Sequence, residues 1–430
     1  MSTSPELQFA MCINSEVCSD GHPKYAGREN TLHEWTGKFW RPLQIEELER
    51  MAWQWLAENV KDKATPRVAA SCAAAAIIDA MPLPSRRSGA DVVLPVQNGA
   101  IELWGVDDGD FELRRRPADR DDGLTFCLSC DYEPAANAEK FEKFLTDVLP
   151  DGEVRQFVQE FVGYTLLPDT RFQRAQFWLG GGANGKSTLA EIVSALHEKT
   201  SAMTLDSLDG FKLAGLLGAS LVYVDETPNR IDEQRLKALI SGGLIQIDRK
   251  YRDPLSLRPT AKWIICGNSL PAISDQSLGF WRRLPVVPFT QSFPDGKADH
   301  LLSAKIRKHE LPGVLNWALA GLLRLLERGR FAPSPQAVLD AIEGGKRETN
   351  SVMAWWHAAE VETAERAATV KETVYEGYTS WCRLNGMQAV ASTKFWKRVH
   401  DLAPALIEGR EPDGRRRRLV GLHFQNFQLH

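Results

Sequence analysis

The chain has 430 residues, of which 43% are hydrophobic and 25% charged, and its formal net charge is −4. That length allows roughly two to four domains, and the charge excludes a chain that is basic throughout, so any nucleic-acid surface must be local. No apolar run approaches the ~20 residues of a membrane span, and "MSTSPELQFAMCINSE" has no basic segment leading into an apolar one, so the cytoplasm is the expected compartment, with no membrane partner.

The first ninety or so residues (roughly 1–94) carry Trp35, Trp40, Trp53 and Trp55 and an alanine-rich stretch, "RVAASCAAAAIIDAM", that predicts a closely packed helix. They form an α+β region with no assigned role. "PVQNGAIELWG" predicts a hairpin turning at Asn98-Gly99, a pair suited to a tight primed turn. The acidic "VDDGD" after it is expected to be a solvated loop tip. Cys127 and Cys130 form a single C-x-x-C with no second pair at zinc spacing, so ordinary thiols are expected there. From Asp151, the residues Val154, Phe157, Val158, Phe161 and Val162 fall at helical spacing, with Asp151 as cap and Gly163 as stop.

"RAQFWLG" is a short apolar strand that runs into Gly180, Gly181, Gly182, Ala183, Asn184, Gly185, Lys186, Ser187 and Thr188, and "STLAEIVSAL" continues as a helix. Gly180, Gly185, Lys186 and Ser187 complete G-x-x-x-x-G-K-[ST] in the strand–loop–helix context it needs. Such a loop turns its N–H groups inward onto phosphate oxygens, at the positive end of the following helix. Lys186 would reach the β- and γ-phosphates of ATP, and the Ser187 hydroxyl would ligate Mg²⁺.

About forty residues on, "LVYVDET" is an apolar strand ending in Asp225-Glu226. A buried parallel strand delivers both carboxylates to the edge where the phosphate loop lies. Asp225 would hold the hydrated Mg²⁺ and Glu226 would polarise an attacking water, which favours a hydrolase over a kinase that must exclude water. "KWIICGN" is a third apolar strand, and Asn268 at its end is placed to sense the γ-phosphate. In "GFWRRLPVVPF", Arg282-Arg283 precedes another strand-like run. An arginine presented to a neighbouring subunit's γ-phosphate stabilises transition-state charge.

These four motifs, in this order, resemble superfamily III helicases, most closely the phage, plasmid and poxvirus-type primase-helicases. "GGANGKS" is similar to the family's phosphate loop, Asn184 included, and "GNSLPAISDQSLGFWRRLPVVPF" to its third motif. The helical stretch around "FEKFLTDVL" and "VRQFVQEFVGY" looks like the segment that precedes the ATPase in these proteins. The resemblance covers residues 95 to 430. It implies an AAA+-type α/β ATPase core, a homo-oligomeric ring (usually a hexamer) and 3′-to-5′ movement on single-stranded DNA with unwinding of forked DNA. Lys186, Ser187, Asp225, Glu226 and Asn268 keep their roles under it, and Arg283 is the first candidate for the arginine finger, with Arg282 the second. The family also places a DNA-gripping hairpin between its second and third motifs. "IQIDRKYRDPLSLRP" fits that place, with Lys250, Tyr251 and Arg252 toward DNA and Asp253-Pro254 reversing the chain. Gly243-Leu244 departs from the acidic residue often seen just upstream.

After "HELPGVLNWALAGLLRLLERG", a helix ending at Gly329, the sequence "RFAPSPQA" opens a linker assigned to 331–349. The ATPase proper is then 169–330, with 95–168 as the preceding helical segment. In 350–430, Val374, Tyr375, Tyr378 and Trp381 share one helix face that stops at Asn385-Gly386. Ser392 is expected to cap a second helix bearing Phe395, Trp396, Val399 and Leu402, and "ALIEGREPDGRRRRLVGLHF" reads as a hairpin. Two helices and a hairpin suggest a winged helix, as at the family's C-terminus, with Arg415, Arg416, Arg417 and Arg418 near a phosphate-tracking tip. The rival expectations are a P-loop ATPase that remodels proteins or packages DNA, and an origin-binding initiator that uses ATP to assemble. A separate primase or polymerase is the expected fork partner, since no carboxylate set for two metals is found here.

Overall fold

The computed structural model describes residues 4–423 apart from 29, 86–87, 107–108, 207, 229–230, 250–251, 272, 274, 276, 294–298, 367–368, 388 and 411–417. Hydrophobic side chains gather into three main cores, within 5–80, 92–349 and 350–423. Among the described residues, no helix is long and apolar enough to cross a membrane.

In the first unit the alanine-rich stretch is the helix Pro66–Asp79, started by the Thr65 hydroxyl and a proline at its first position. Its small buried face (Ala69, Cys72, Ala73, Ala76) lets the helix Pro5–Asn14 approach through Phe9, Ala10 and Ile13. A third helix, Ile45–Asn59, and an antiparallel sheet of Tyr25–Arg28, Thr31–Trp35 and Trp40–Pro42 complete it.

The middle unit is one core rather than a prelude, an ATPase and a linker. The expected hairpin forms, pairing Val92–Val96 with Gly99–Gly105, but Val96 faces Gly99, so the turn is Gln97-Asn98 and lies one residue earlier than expected. Phe111–Arg116 adds a third strand. The helices Glu139–Val148 and Gly152–Thr165 follow, and Asp151 caps the second by accepting from the Glu153 and Val154 amides. Residues 336–349, expected as linker, form the helix Gln336–Thr349, whose Val338 and Ile342 sit in the same core.

Gly163 does not stop its helix, which runs on to Thr165. A Cβ at Gly163 would lie 2.4 Å from the Leu322 nitrogen and 2.5 Å from the Ala318 carbonyl oxygen, so this glycine sets the close packing of Gly152–Thr165 against Leu311–Arg328. Gly163→Ala gains about 0.5–1 kcal/mol of helix propensity but overpacks backbone against backbone at a cost of about 1–3 kcal/mol. We expect a net loss of about 1–2 kcal/mol, read as a lower urea midpoint; an unchanged midpoint would show that the two helices have room.

At the centre lies a five-stranded parallel sheet. Its strands in chain order are Gln176–Leu179, Thr200–Ala202, Leu221–Val224, Lys262–Gly267 and Val286–Pro288. Their spatial order is 5-1-4-3-2. Burial on both faces explains why these strands read as apolar runs without alternation. The first strand has its neighbours on both sides later in sequence, so the sheet order reverses there, and ligands bind at such a point beyond the strands' carboxyl ends.

The third unit runs through the helix Ser351–Ala358, strand Thr369–Val370, helices Lys371–Leu384 and Ser392–Leu402, and strands Glu408–Arg410 and Arg418–Val420. Ser392 is the first residue of its helix, not the cap; Ala391 holds that place and supplies no side-chain bond. The sheet order puts Arg418–Val420 between the other two strands.

Candidate active site

The glycine-rich loop leaves the first sheet strand at Gly180 and enters the helix Lys186–Ser194 at Gly185. Gly185 has φ +83°, and a Cβ there would lie 2.5 Å from Val148 Cγ1, so both conformation and crowding demand glycine. Helix Glu139–Val148 therefore backs the loop directly.

Lys186 is buried, and its ammonium donates to the Gly180 carbonyl at 2.6 Å and to Asn184 Oδ1 at 2.9 Å. Both acceptors are neutral, so its charge is not cancelled by a carboxylate. Burial draws the ammonium below the usual lysine value. Asn184 is buried as well and donates from Nδ2 to the Phe289 carbonyl at 3.5 Å. The Phe293 amide donates to the Ala183 carbonyl at 2.7 Å. The segment after the fifth strand thus straps the outer side of the loop, a contact no local sequence pattern announces.

Backbone bonds bring the other motifs to the same edge. The Gly180 amide donates to the Gly267 carbonyl at 3.1 Å, which sets the start of the loop beside the end of the strand that carries Asn268. Thr227 Oγ1 donates to the Cys266 carbonyl at 2.8 Å and pins the acidic turn to that strand. Ser187 Oγ donates to Asp225 Oδ1 at 3.3 Å. Asp225, Glu226 and Asn268 are all exposed at this edge. Lys186, Ser187, Asp225, Glu226 and Asn268 are therefore brought together, and Ser187 and Asp225 converge as the hard oxygen donors that suit Mg²⁺.

Tyr223 joins them unannounced. Its phenol donates to Asp225 Oδ1, and burial followed by the carboxylate push it up, so it stays protonated. The signal available in sequence was the period of two: on a strand, residues 223 and 225 point to one face.

The two arginines part company. Arg283 is half-buried and spends its guanidinium inside its own subunit: Nε on Ser241 Oγ at 3.0 Å, Nη1 on the Gly279 carbonyl at 2.7 Å and Nη2 on Gln173 Oε1 at 3.1 Å. Arg282 is exposed. The pair precedes the fifth strand, and the Arg283 carbonyl accepts from the Ala175 amide, just before the first strand begins. Both arginines therefore lie at the end of the sheet opposite their own phosphate loop.

The hairpin expected to grip DNA is formed by Ile245–Arg249 paired with Arg252–Leu257. Lys250 and Tyr251 lie outside the described residues, as does the Arg252 side chain, although its backbone opens the second strand opposite Arg249. Asp253-Pro254 do not reverse the chain but lie in the second strand, since Arg252 already pairs with Arg249. The register shifts between Ile247 and Arg249, and such an irregularity accommodates a proline that cannot donate to the ladder. Arg415, Arg416 and Arg417 also lie outside the described residues, and Arg418 is described only as backbone, at the start of its strand.

Known proteins share both the fold and the motif-bearing span. A family model described as "D5 N terminal like" matches residues 24–150, and one described as a family of unknown function (DUF5906) matches residues 178–283, the span of all four motifs. The chain is 29% identical over 240 residues to a protein of Acanthamoeba polyphaga mimivirus named putative helicase, covering 50% of this chain and 24% of that one. It is 26% identical over 243 residues to a protein of the same name from Frog virus 3, covering 49% and 24%. It is 23% identical over 153 residues to an African swine fever virus protein named putative primase, covering 33% and 16%. The chain thus spans about a quarter or less of these relatives' lengths. In fold it is similar to the apo A-form NrS-1 C-terminal region, with a TM-score of 0.50 at 11% identity over 92% of this chain and 95% of that one. With these motifs converging on one edge of a parallel sheet, these likenesses to viral proteins named putative helicase and putative primase support a primase-helicase family for the chain.

Proposed function

We propose that the chain is an ATP- and Mg²⁺-dependent DNA helicase of superfamily III that works as a homo-oligomeric ring, a hexamer, in the replication of a phage- or virus-like element. The observation that carries this is the separation within one subunit: the phosphate loop, both acids and Asn268 share one sheet edge, while Arg282 lies exposed at the opposite end. An arginine there serves a neighbour's nucleotide and not its own, so a competent site needs two subunits in head-to-tail contact, the geometry that closes rings. The 5-1-4-3-2 strand order, with the Asn268 strand between the loop strand and the acid strand, supports an AAA+-type core.

The residues act as follows. Lys186 leaves the Gly180 carbonyl for the β- and γ-phosphates, and the loop's N–H groups orient the same oxygens. Ser187 and Asp225 hold Mg²⁺, which neutralises developing phosphate charge when bound. Glu226 orients and polarises the attacking water, Asn268 aligns it against the γ-phosphate, and a neighbour's Arg282 stabilises the transition state. The hairpin 245–257, its stem anchored in the core by Ile245 and Ile247, is the element that grips single-stranded DNA through Lys250, Tyr251 and Arg252. The C-terminal helices 371–384 and 392–402, followed by the paired strands 408–410 and 418–420, support a winged helix, and Arg415, Arg416, Arg417 and Arg418 are its contacts to phosphates. Movement is 3′ to 5′, and a separate primase or polymerase works at the same fork.

The test compares unaltered protein with Lys186→Ala on a labelled fork. Loss of that cation is expected to lower ATP hydrolysis by about 100-fold or more and to abolish strand displacement. If the unaltered protein hydrolyses ATP yet displaces no strand on any fork or in any salt, the helicase assignment fails. DNA-stimulated turnover would then mark a packaging motor, and unstimulated turnover a remodelling ATPase.

A further inference from the structure

We propose that Tyr223 is a positioning residue for the metal half of the nucleotide site: its phenol fixes the Asp225 carboxylate so that one oxygen is held within the protein and the other is presented to a magnesium-bound water. This rests on the nucleotide site proposed above and adds to it a residue of the acid-bearing strand to which the motifs give no role.

Asp225 lies just past the end of its strand and is exposed, so nothing in the backbone fixes its carboxylate. Two hydroxyls converge on one of its oxygens. Tyr223 donates to Oδ1, and Ser187 Oγ donates to the same atom at 3.3 Å. Among the described residues no donor bonds to Oδ2. The carboxylate is thus tethered on one side and open on the other.

Tyr223 is a stiff place from which to hold it. Its strand is internal to the sheet, with Tyr223 opposite Ile264 on one side and Ala202 on the other. The ring is half-buried, and only the phenol reaches the edge. Asp225 follows Tyr223 by two residues, just past the strand's end, and the phenol reaches its Oδ1 there. Groups that hydrogen-bond a metal ligand in this way set ligand orientation, and their loss costs about 10–100-fold in metal affinity or activity.

Tyr223→Phe removes one oxygen atom and keeps the ring, so the packing stays intact and the thermal midpoint should match that of the unaltered protein. The experiment is calorimetric titration with the non-hydrolysable β,γ-imido analogue of ATP, across a magnesium series and in EDTA. We expect the magnesium midpoint to rise about tenfold, with analogue affinity in EDTA unchanged. An unchanged magnesium midpoint overturns the proposal and leaves Tyr223 as packing. An equal loss of affinity with and without magnesium overturns it too, because it would mark a general support of the site. If the unaltered protein binds no analogue in either condition, the nucleotide site itself is wrong and this proposal falls with it.

Discussion

Glu226→Gln should leave the protein able to bind ATP and Mg²⁺ while hydrolysis falls by about 10²–10⁴-fold, the range for removing a positioned general base. The substitution keeps shape and hydrogen-bonding reach and removes only the negative charge that polarises water. Glu226 is exposed at the edge where Ser187, Asp225 and Lys186 meet, and among the described residues it makes no bond on which the loop depends. Lys186→Ala should behave differently, because Lys186 is buried and bonded to Gly180 and Asn184, so its loss disturbs nucleotide binding as well as turnover. Phosphate release and nucleotide binding measured side by side separate the two variants. Near-normal turnover of Glu226→Gln would remove it from the water-activating role and pass that role to Asp225. Normal sequence-specific DNA binding by this variant, with function retained, would favour the ATP-assembled initiator.

The central sheet was legible because burial on both faces forces unbroken apolar runs, and "LVYV" and "KWIICG" are such runs. The ends of those strands are where ligands bind in such sheets, so Asp225, Glu226 and Asn268 could be named as candidates from their place after each run. What was not legible depends on contacts between distant segments. Gly163 looks like a helix stop, and only the helix 311–328 lying against it explains why a glycine stands in mid-helix. Residues 336–349 follow two prolines and read as linker, yet Val338 and Ile342 sit in the core that holds the central sheet, with the fifth strand Val286–Pro288 against this helix. The strap of Phe289 and Phe293 over the phosphate loop is of the same kind. The ranking of Arg283 above Arg282 used adjacency to the strand as its guide. Adjacency to a buried strand is what draws Arg283 inward, onto Ser241, Gly279 and Gln173.

That reversal yields the prediction with the largest effect. Arg282→Ala should bind nucleotide as the unaltered protein does and lose about 10³–10⁵-fold in turnover, the contribution of an arginine finger supplied in trans. Arg283→Ala should instead lower stability by about 2–3 kcal/mol, since three hydrogen bonds go and their half-buried partners are left unmet. Any loss of its activity should follow that loss of fold. Mixing decides whether the finger acts between subunits. An Arg282→Ala subunit keeps Lys186, and a Lys186→Ala subunit keeps Arg282, so neither hydrolyses ATP alone. In a mixed ring, a site is complete where the first borrows an arginine from the second, which random assembly provides at about a quarter of the interfaces. Turnover that appears only on mixing places Arg282 in its neighbour's site. Mixed rings as inactive as either parent, with both variants folded and assembled, would mean that the arginine at this end of the sheet serves the interface and not the chemistry. The search for the finger would then have to leave this motif.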